Sequence, residues 1–195
     1  MRAMVIASLI MCSSSLAYAQ TPLQRIRGTI VSVSGDALVV HGRDADVTIQ
    51  LAGDTVVRTD TATTLAAIKP GSTLAIVSKG SADKQEAVGV RAMGPGMTLR
   101  LGISSWDLLP ESTMTNAVVE GQEVAVNGQT MSLKTGDKTV NMSFPTTAVI
   151  AMEVVGERTA LVPGAKVTVF AAAGSADAMA GKVVIVGVGG ITPPV

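Results

Sequence analysis

The second half of this chain resembles the first half, and this internal repeat constrains the fold more than any other feature of the sequence. The two halves align at an offset of 93 residues, with one further residue of slip towards the end of each copy. The aligned pairs are residues 47–51 with 140–144, 68–71 with 161–164, and 80–83 with 174–177. Because solenoid repeats are much shorter than this, the sequence predicts a duplicated domain with one copy in each half.

Each copy consists of short β-rich segments separated by glycine and aspartate, a pattern typical of antiparallel strands joined by tight turns. The predicted strands are 26–33, 38–41, 47–51, 54–58, 73–78 and 87–93 in the first copy, and 117–126, 130–133, 139–144, 148–152, 166–172 and 182–188 in the second. A short helical insert is expected at residues 61–68, before Pro70 and Gly71. This pattern favours an all-β fold of two tandem small antiparallel β-barrels, similar to the OB fold.

The first 19 residues have the pattern of a signal peptide. Arg2 precedes an apolar stretch at 3–16, and residues 17–19 (Ala-Tyr-Ala) fit the small-x-small rule for cleavage. Lipidation of Cys12 is the alternative, but the bulky Ile10 and Met11 precede it where a lipoprotein signal requires small residues. No later segment is apolar over the length that a membrane span requires. We therefore expect a soluble protein, exported to the periplasm or secreted after cleavage at Ala19.

These observations divide the chain into five segments. They are a signal peptide (1–19), a first barrel (20–96), a connector (97–115), a second barrel (116–189) and a proline-containing tail (190–195). Two independent barrels of this size would each fold alone, although such small domains are only marginally stable.

Four segments resemble a family of bacterial secreted proteins of unknown function with tandem small OB-like β-barrel domains. They are residues 27–38, 65–72, the connector run 106–117 and the tail 191–194. The resemblance implies the barrel fold and an exported location, and it brings no established activity.

Composition argues against nucleic acid as a partner. The formal net charge is zero, and residues 26–93 contain no Phe, Tyr or Trp. OB-type sites for nucleic acid stack bases on aromatic side chains within a basic groove. We therefore expect the partner to be an envelope protein or polymer.

Candidate metal ligands are few. His41 is the only histidine, and Asp44 and Asp46 lie close to it in sequence; Met93 and Met97 form a pair of thioethers suited to Cu(I). Neither set reaches the three or four ligands of a defined site. Solvated turn residues and packed methionines are the favoured explanation of these patterns, so no metal or cofactor is predicted.

Trp106, Leu108 and Leu109 are the candidate binding residues, because they form an apolar cluster in the connector. Tryptophan is enriched at binding hot spots, although the same cluster would also serve to pack the two barrels together. The cysteine-free mature chain with one histidine has no evident nucleophile and base. The sequence therefore favours a non-catalytic exported binding or scaffold protein, and the alternative is a carrier of a small ligand or metal ion.

Overall fold

The computed structural model describes residues 23–81, 84–125, 128–174 and 178–195. The described part of the chain is almost entirely strands and turns, which confirms the prediction of an all-β fold. The predicted signal peptide, residues 1–19, lies outside the described residues. Within those residues, no helix has the length and apolar character needed to cross a membrane.

Twelve strands are present in the described ranges, and two single turns of 3₁₀ helix lie at Leu65–Ala67 and Arg158–Ala160. The strands are β1 (Gln24–Ser34), β2 (Ala37–His41), β3 (Asp46–Ala62), β4 (Thr73–Lys79), β5 (Gln85–Met93), β6 (Gly102–Ser105), β7 (Thr113–Ala125), β8 (Gly128–Thr135), β9 (Lys138–Pro145), β10 (Val149–Val155), β11 (Lys166–Ala173) and β12 (Ala178–Val188).

Strands β1, β2, β3, β12 and β11 form a closed five-stranded barrel. β1 pairs antiparallel with β2 and β11, β2 pairs with β3, and β11 pairs with β12. The ring closes where β12 runs parallel to β3, from Ala178 beside Thr48 to Val188 beside Thr61.

Alternate side chains of these strands fill the barrel, because successive residues of a strand point to opposite faces. Leu38 and Val40 of β2 are fully buried, whereas Val39 between them is half-buried. Ile49 and Leu51 of β3 join the same apolar core. Burying each such side chain stabilises the fold by about 1.5–3 kcal/mol before the entropy of ordering is counted.

Five further strands form a second strand group, in which β5, β4, β7, β8 and β9 pair in that order. β9 returns to β5 through two parallel residue pairs, Gln85 with Met142 and Glu86 with Ser143. Its core is separate from that of the barrel and includes Phe144 and Met131. β10 joins the two parts, because it pairs antiparallel with β3 and parallel with β5.

The predicted arrangement of two tandem barrels is not confirmed, because the closed barrel takes strands from both halves of the chain. β11 and β12 belong to the second half and complete the ring with β1, β2 and β3 of the first half. Conversely, β4 and β5 of the first half pair with β7, β9 and β10 of the second half. Each half of the chain therefore supplies strands that pair with the other half.

Two smaller expectations also differ from the structure. The helical insert predicted at 61–68 is reduced to the turn at Leu65–Ala67, because β3 continues to Ala62. The segment predicted as a connector, 97–115, contains β6, which pairs antiparallel with the start of β7.

Candidate functional site

A cleft of about 540 Å³ lies beside the first residues of β1. Its walls come from three parts of the chain: β1, the turn between β2 and β3, and the loop that follows β6. The lining residues are Arg25, Ile26, Arg27, Gly42, Arg43, Asp44, Ala45, Val47, Asp107 and Leu108. Three arginines and two aspartates therefore face this space, which leaves one positive charge unbalanced.

Two of these arginines hold the loop after β6 against β1. Arg25 and Arg27 lie two residues apart and hence on one face of β1. Arg25 Nε and Arg27 Nη2 both donate hydrogen bonds to Asp107 Oδ1, each at 2.9 Å. The Arg25 guanidinium also lies 4.0 Å from the centroid of the Trp106 ring, a cation–π contact.

The same contacts set the charge of Asp107. Burial acts to raise the pKa of Asp107, but hydrogen bonds from Arg27 and Arg25 outweigh it and hold the pKa below the ordinary value of 3.8. Asp107 is therefore ionised at neutral pH.

Among the described residues, two N–H donors at this place are buried without a hydrogen-bond partner, Arg27 Nε and Trp106 Nε1. Leaving such a donor unpaired costs about 1–3 kcal/mol. Because both atoms are shielded from solvent, they are equally shielded from a molecule bound in the cleft.

The loop that carries Trp106 and Asp107 is fixed by its own hydrogen bonds. The backbone N–H of Trp106 donates to the carbonyl of Ser112 at 2.8 Å. The buried Ser112 hydroxyl donates to the carbonyl of Leu109 at 2.8 Å and accepts from the Leu109 N–H at 3.2 Å. The loop thus closes on itself and presents its side chains in one arrangement.

The three candidate residues of this loop have different environments. Trp106 and Leu108 pack against a small apolar cluster that includes Val77 of β4 and Met114 of β7. Leu109 is 42% exposed. Trp106 therefore contacts both β1 and the apolar cluster of β4 and β7, while Leu109 is the most exposed of the three candidate residues.

Two further clefts adjoin this loop. One of about 340 Å³ is lined partly by His41, Lys166 and Arg27. Another of about 390 Å³ is mainly apolar and is lined by Val88, Leu108, Leu109, Val149, Thr192, Pro193 and Pro194. Leu108 lines all three clefts, so they form one surface that is cationic at one end and apolar at the other.

The structure brings together only part of the candidate metal ligands. His41 Nδ1 lies 2.7 Å from Asp46 Oδ1 across the β2–β3 hairpin, and both side chains are exposed. Asp44 lines the first cleft, Met93 packs against the cluster of Trp106, and the backbone N–H of Met97 donates to Gly94. Within the described ranges, no group of three or more His, Cys, Asp or Glu side chains is placed to hold a metal ion.

A buried ion cluster between β3, β5 and β10 was missed by the sequence analysis. Arg91 Nε donates to Asp60 Oδ2 at 3.0 Å, and Arg58 Nη1 donates to Glu153 Oε1 at 2.9 Å. Glu153 Oε2 lies 3.1 Å from Arg91 Nε but is not aligned for a hydrogen bond. A charged residue inside an apolar strand was the available signal, as in Val90-Arg91-Ala92.

This cluster is closed to ligands. The side chains of Asp60, Glu153 and Arg91 are 0%, 1% and 6% exposed. Burial raises the pKa of Asp60 from 3.8 to about 6, although attraction and hydrogen bonding to Arg91 act in the opposite direction. We interpret the cluster as a structural junction and not as a binding site.

Comparison with known proteins found no matching protein-family model, curated protein or solved structure. The resemblance to secreted OB-like proteins therefore stays a prediction, and the surface around Leu108 is interpreted from its own residues.

Proposed function

We propose that this protein is a non-catalytic exported binding or scaffold module that holds a partner protein or polymer at the surface around Leu108. The observation that carries the proposal is the meeting of three clefts at one leucine, next to the exposed Leu109. Apolar anchors beside charged groups are typical of recognition surfaces.

The electrostatics of the surface support recognition rather than bond-making chemistry. Asp107 is held by two arginines, and His41 Nδ1 is hydrogen-bonded to Asp46. Side chains that are fixed by such contacts present hydrogen-bonding groups to a partner in a preorganised way.

We also propose that the second strand group is a second OB-like barrel, and that the chain is a duplication whose two copies exchange strands. The pairing registers support this. The pairing of β1 shifts register at Ile30/Ser32, and the pairing of β7 shifts register at Val119/Gly121. Likewise, the pairing of β11 shifts at Phe170/Ala171 and the pairing of β4 shifts at Val77/Ser78. The shifts in β11 and β4 lie 93 residues apart, which is the offset of the sequence repeat.

Export follows from the predicted signal peptide and is part of the proposal. Intact-mass analysis of the protein expressed in a bacterium should give a chain that begins at Gln20. Retention of residues 1–19, or a lipid on Cys12, would contradict this.

Site-specific photocrosslinking tests the proposed binding surface. A benzophenone amino acid replaces Leu109 in the protein expressed in its native host, and the matched control carries it at Val155, which is 73% exposed and lines none of the three clefts. We expect a discrete adduct from position 109 that is absent from position 155. Equal labelling at both positions, or none at position 109, would overturn the proposal.

Metal analysis tests the carrier alternative. Stoichiometric metal in the purified protein, lost in His41→Ala, would favour that alternative.

A further inference from the structure

Within the part of the chain that the structure describes, the first residues of β1 are paired with a strand along one edge only. Gln24–Thr29 pair with β11, but β2 begins to pair with the opposite edge of β1 only at Thr29, where it meets His41. The chain then turns away at Gly42 into the hairpin that leads to β3. No strand within the described ranges pairs with this edge at Gln24–Arg27.

The corresponding edge of β7 is covered. β7 pairs with β4 from Thr113 to Val118, and β8 begins on the opposite edge at Val118, where it meets Lys134. β6 occupies the edge before that point, pairing antiparallel with Thr113–Asn116. These residues lie two to five positions before Val118, as Gln24–Arg27 lie two to five positions before Thr29. The position that β6 fills on β7 is therefore taken by no strand of residues 23–81, 84–125, 128–174 or 178–195 on β1.

The cleft of about 540 Å³ lies at this open edge. Arg25 and Arg27 point to one face of β1 and Ile26 points to the other, yet all three line the cleft. A space lined by both faces of a strand lies along its edge. Unpaired backbone N–H and C=O groups along an edge are a template for another strand.

We propose that this edge binds an extended, carboxylate-bearing peptide segment of a partner protein by β-augmentation, antiparallel to β1, in the position that β6 takes on β7. The inference rests on the proposed binding function and names its site and the chemistry of the partner. Backbone hydrogen bonds supply affinity in this mode, and side chains at alternate positions supply specificity.

The charges of the cleft select an acidic segment. Arg25, Arg27 and Arg43 outnumber Asp44 and Asp107 by one, so the lining carries a net positive charge that favours an acidic segment. The side chains of Arg25 and Arg27 are partly exposed, at 27% and 25%, and carboxylates are the strongest acceptors for guanidinium donors.

A second copy of the chain is a poorer occupant. Antiparallel pairing of two β1 edges centred on Ile26 would place Arg25 of one copy opposite Arg27 of the other. Like charges across neighbouring strands are destabilising.

Fluorescence anisotropy with three synthetic peptides and the full chain tests the proposal. The first is a labelled hexapeptide of alternating Glu and Val, the second has Gln for Glu, and the third keeps Glu but carries N-methyl groups on alternate backbone amides. We expect the first to bind, and the other two to bind at least about tenfold more weakly, since each loses charge-assisted or backbone hydrogen bonds. Backbone amides of residues 24–27 should also exchange more slowly when the first peptide is bound.

A matched pair of variants locates the binding. Arg43→Gln, in the turn that lines the cleft, should weaken binding of the Glu peptide several-fold, whereas Lys138→Gln, at the exposed first residue of β9, should not change it. Binding that is insensitive to N-methylation or to Arg43→Gln, or absence of binding, would overturn the edge proposal. If the edge proposal fails but crosslinked adducts form at position 109, the proposed binding function still stands. If no adducts form at position 109 either, both the edge proposal and the proposed function are wrong.

Discussion

At the scale of single residues, the structure gives ionised side chains two distinct roles. Asp107, at the surface, is stabilised in its charged form by two arginines. Asp60, fully buried beside Arg91 and Glu153, is destabilised in its charged form because desolvation exceeds the attraction to Arg91. The first arrangement keeps charge at the surface, while the second makes the stability of the fold depend on pH.

Because the pKa of Asp60 is raised from 3.8 to about 6, the folded state binds a proton more tightly than the unfolded state. The stabilisation is complete below pH 3.8 and is lost as the pH rises through about 6. We expect the free energy of unfolding to fall by roughly 3 kcal/mol from this group between pH 4 and pH 7. Urea titrations at a series of pH values measure it. In Asp60→Asn this fall should vanish, and an unchanged pH profile in that variant would contradict the assignment.

Trp106 is the only tryptophan, so its fluorescence reports directly on the site. Arg25→Ala removes the guanidinium that lies 4.0 Å from the ring centroid. We expect a red-shifted emission and stronger quenching by acrylamide, since the ring becomes accessible to water. Arg100→Ala, at an exposed position outside the cation–π contact, serves as the control and should leave both signals unchanged.

At the scale of elements, local patterns predicted where strands occur but not how they pair. The alternation of Leu38 and Val40, followed by Ile49 and Leu51, predicted strands at β2 and at the start of β3 because it reflects one buried face. The prediction of separate strands at 47–51 and 54–58 was wrong, because β3 runs without a break from Asp46 to Ala62. β6 was missed because its four residues, Gly102–Ser105, are all exposed and show no such alternation. The residues of the candidate site were only partly predictable, since Arg25 and Arg27 meet at Asp107, about 80 residues away in sequence.

β1 and β2 lie very close together at Gly28, next to the point where the two strands begin to pair. A Cβ at this position would collide with the carbonyl oxygen of His41 and with Val40 Cγ1. Gly28→Ala should therefore destabilise the fold by about 1–3 kcal/mol, as overpacking does in well-packed interiors. Gly53→Ala is a suitable control, because a Cβ there meets no atom within 4 Å. The urea midpoints of the two variants measure the difference in stability. Equal midpoints would show that the backbone shifts to accommodate a Cβ at residue 28 without loss of stability.

At the scale of the whole molecule, the sequence could not distinguish strand pairing within each half from exchange between halves, because the repeated strands have equivalent apolar patterns. Charged residues do distinguish the two. Ile185 of β12 lies beside Arg58 of β3, and Arg91 is the residue that aligns with Ile185 at an offset of 94. Pairing of β5 with β3 of its own half would thus place Arg91 beside Arg58. The observed pairing places Arg91 beside Ala151 and within reach of Asp60 and Glu153, which avoids that repulsion.

Exchange of strands predicts that the two halves depend on each other for folding. A fragment of residues 20–96 retains β1, β2 and β3 but lacks β11 and β12, which close the barrel. A fragment of residues 97–195 lacks β4 and β5, whose removal exposes β7 and β9. We expect each fragment alone to show no cooperative thermal transition by circular dichroism, and an equimolar mixture to regain the single transition of the full chain. Two fragments that each melted cooperatively would instead show that the halves fold independently, because strands β4 and β5 would then have to pair within their own half.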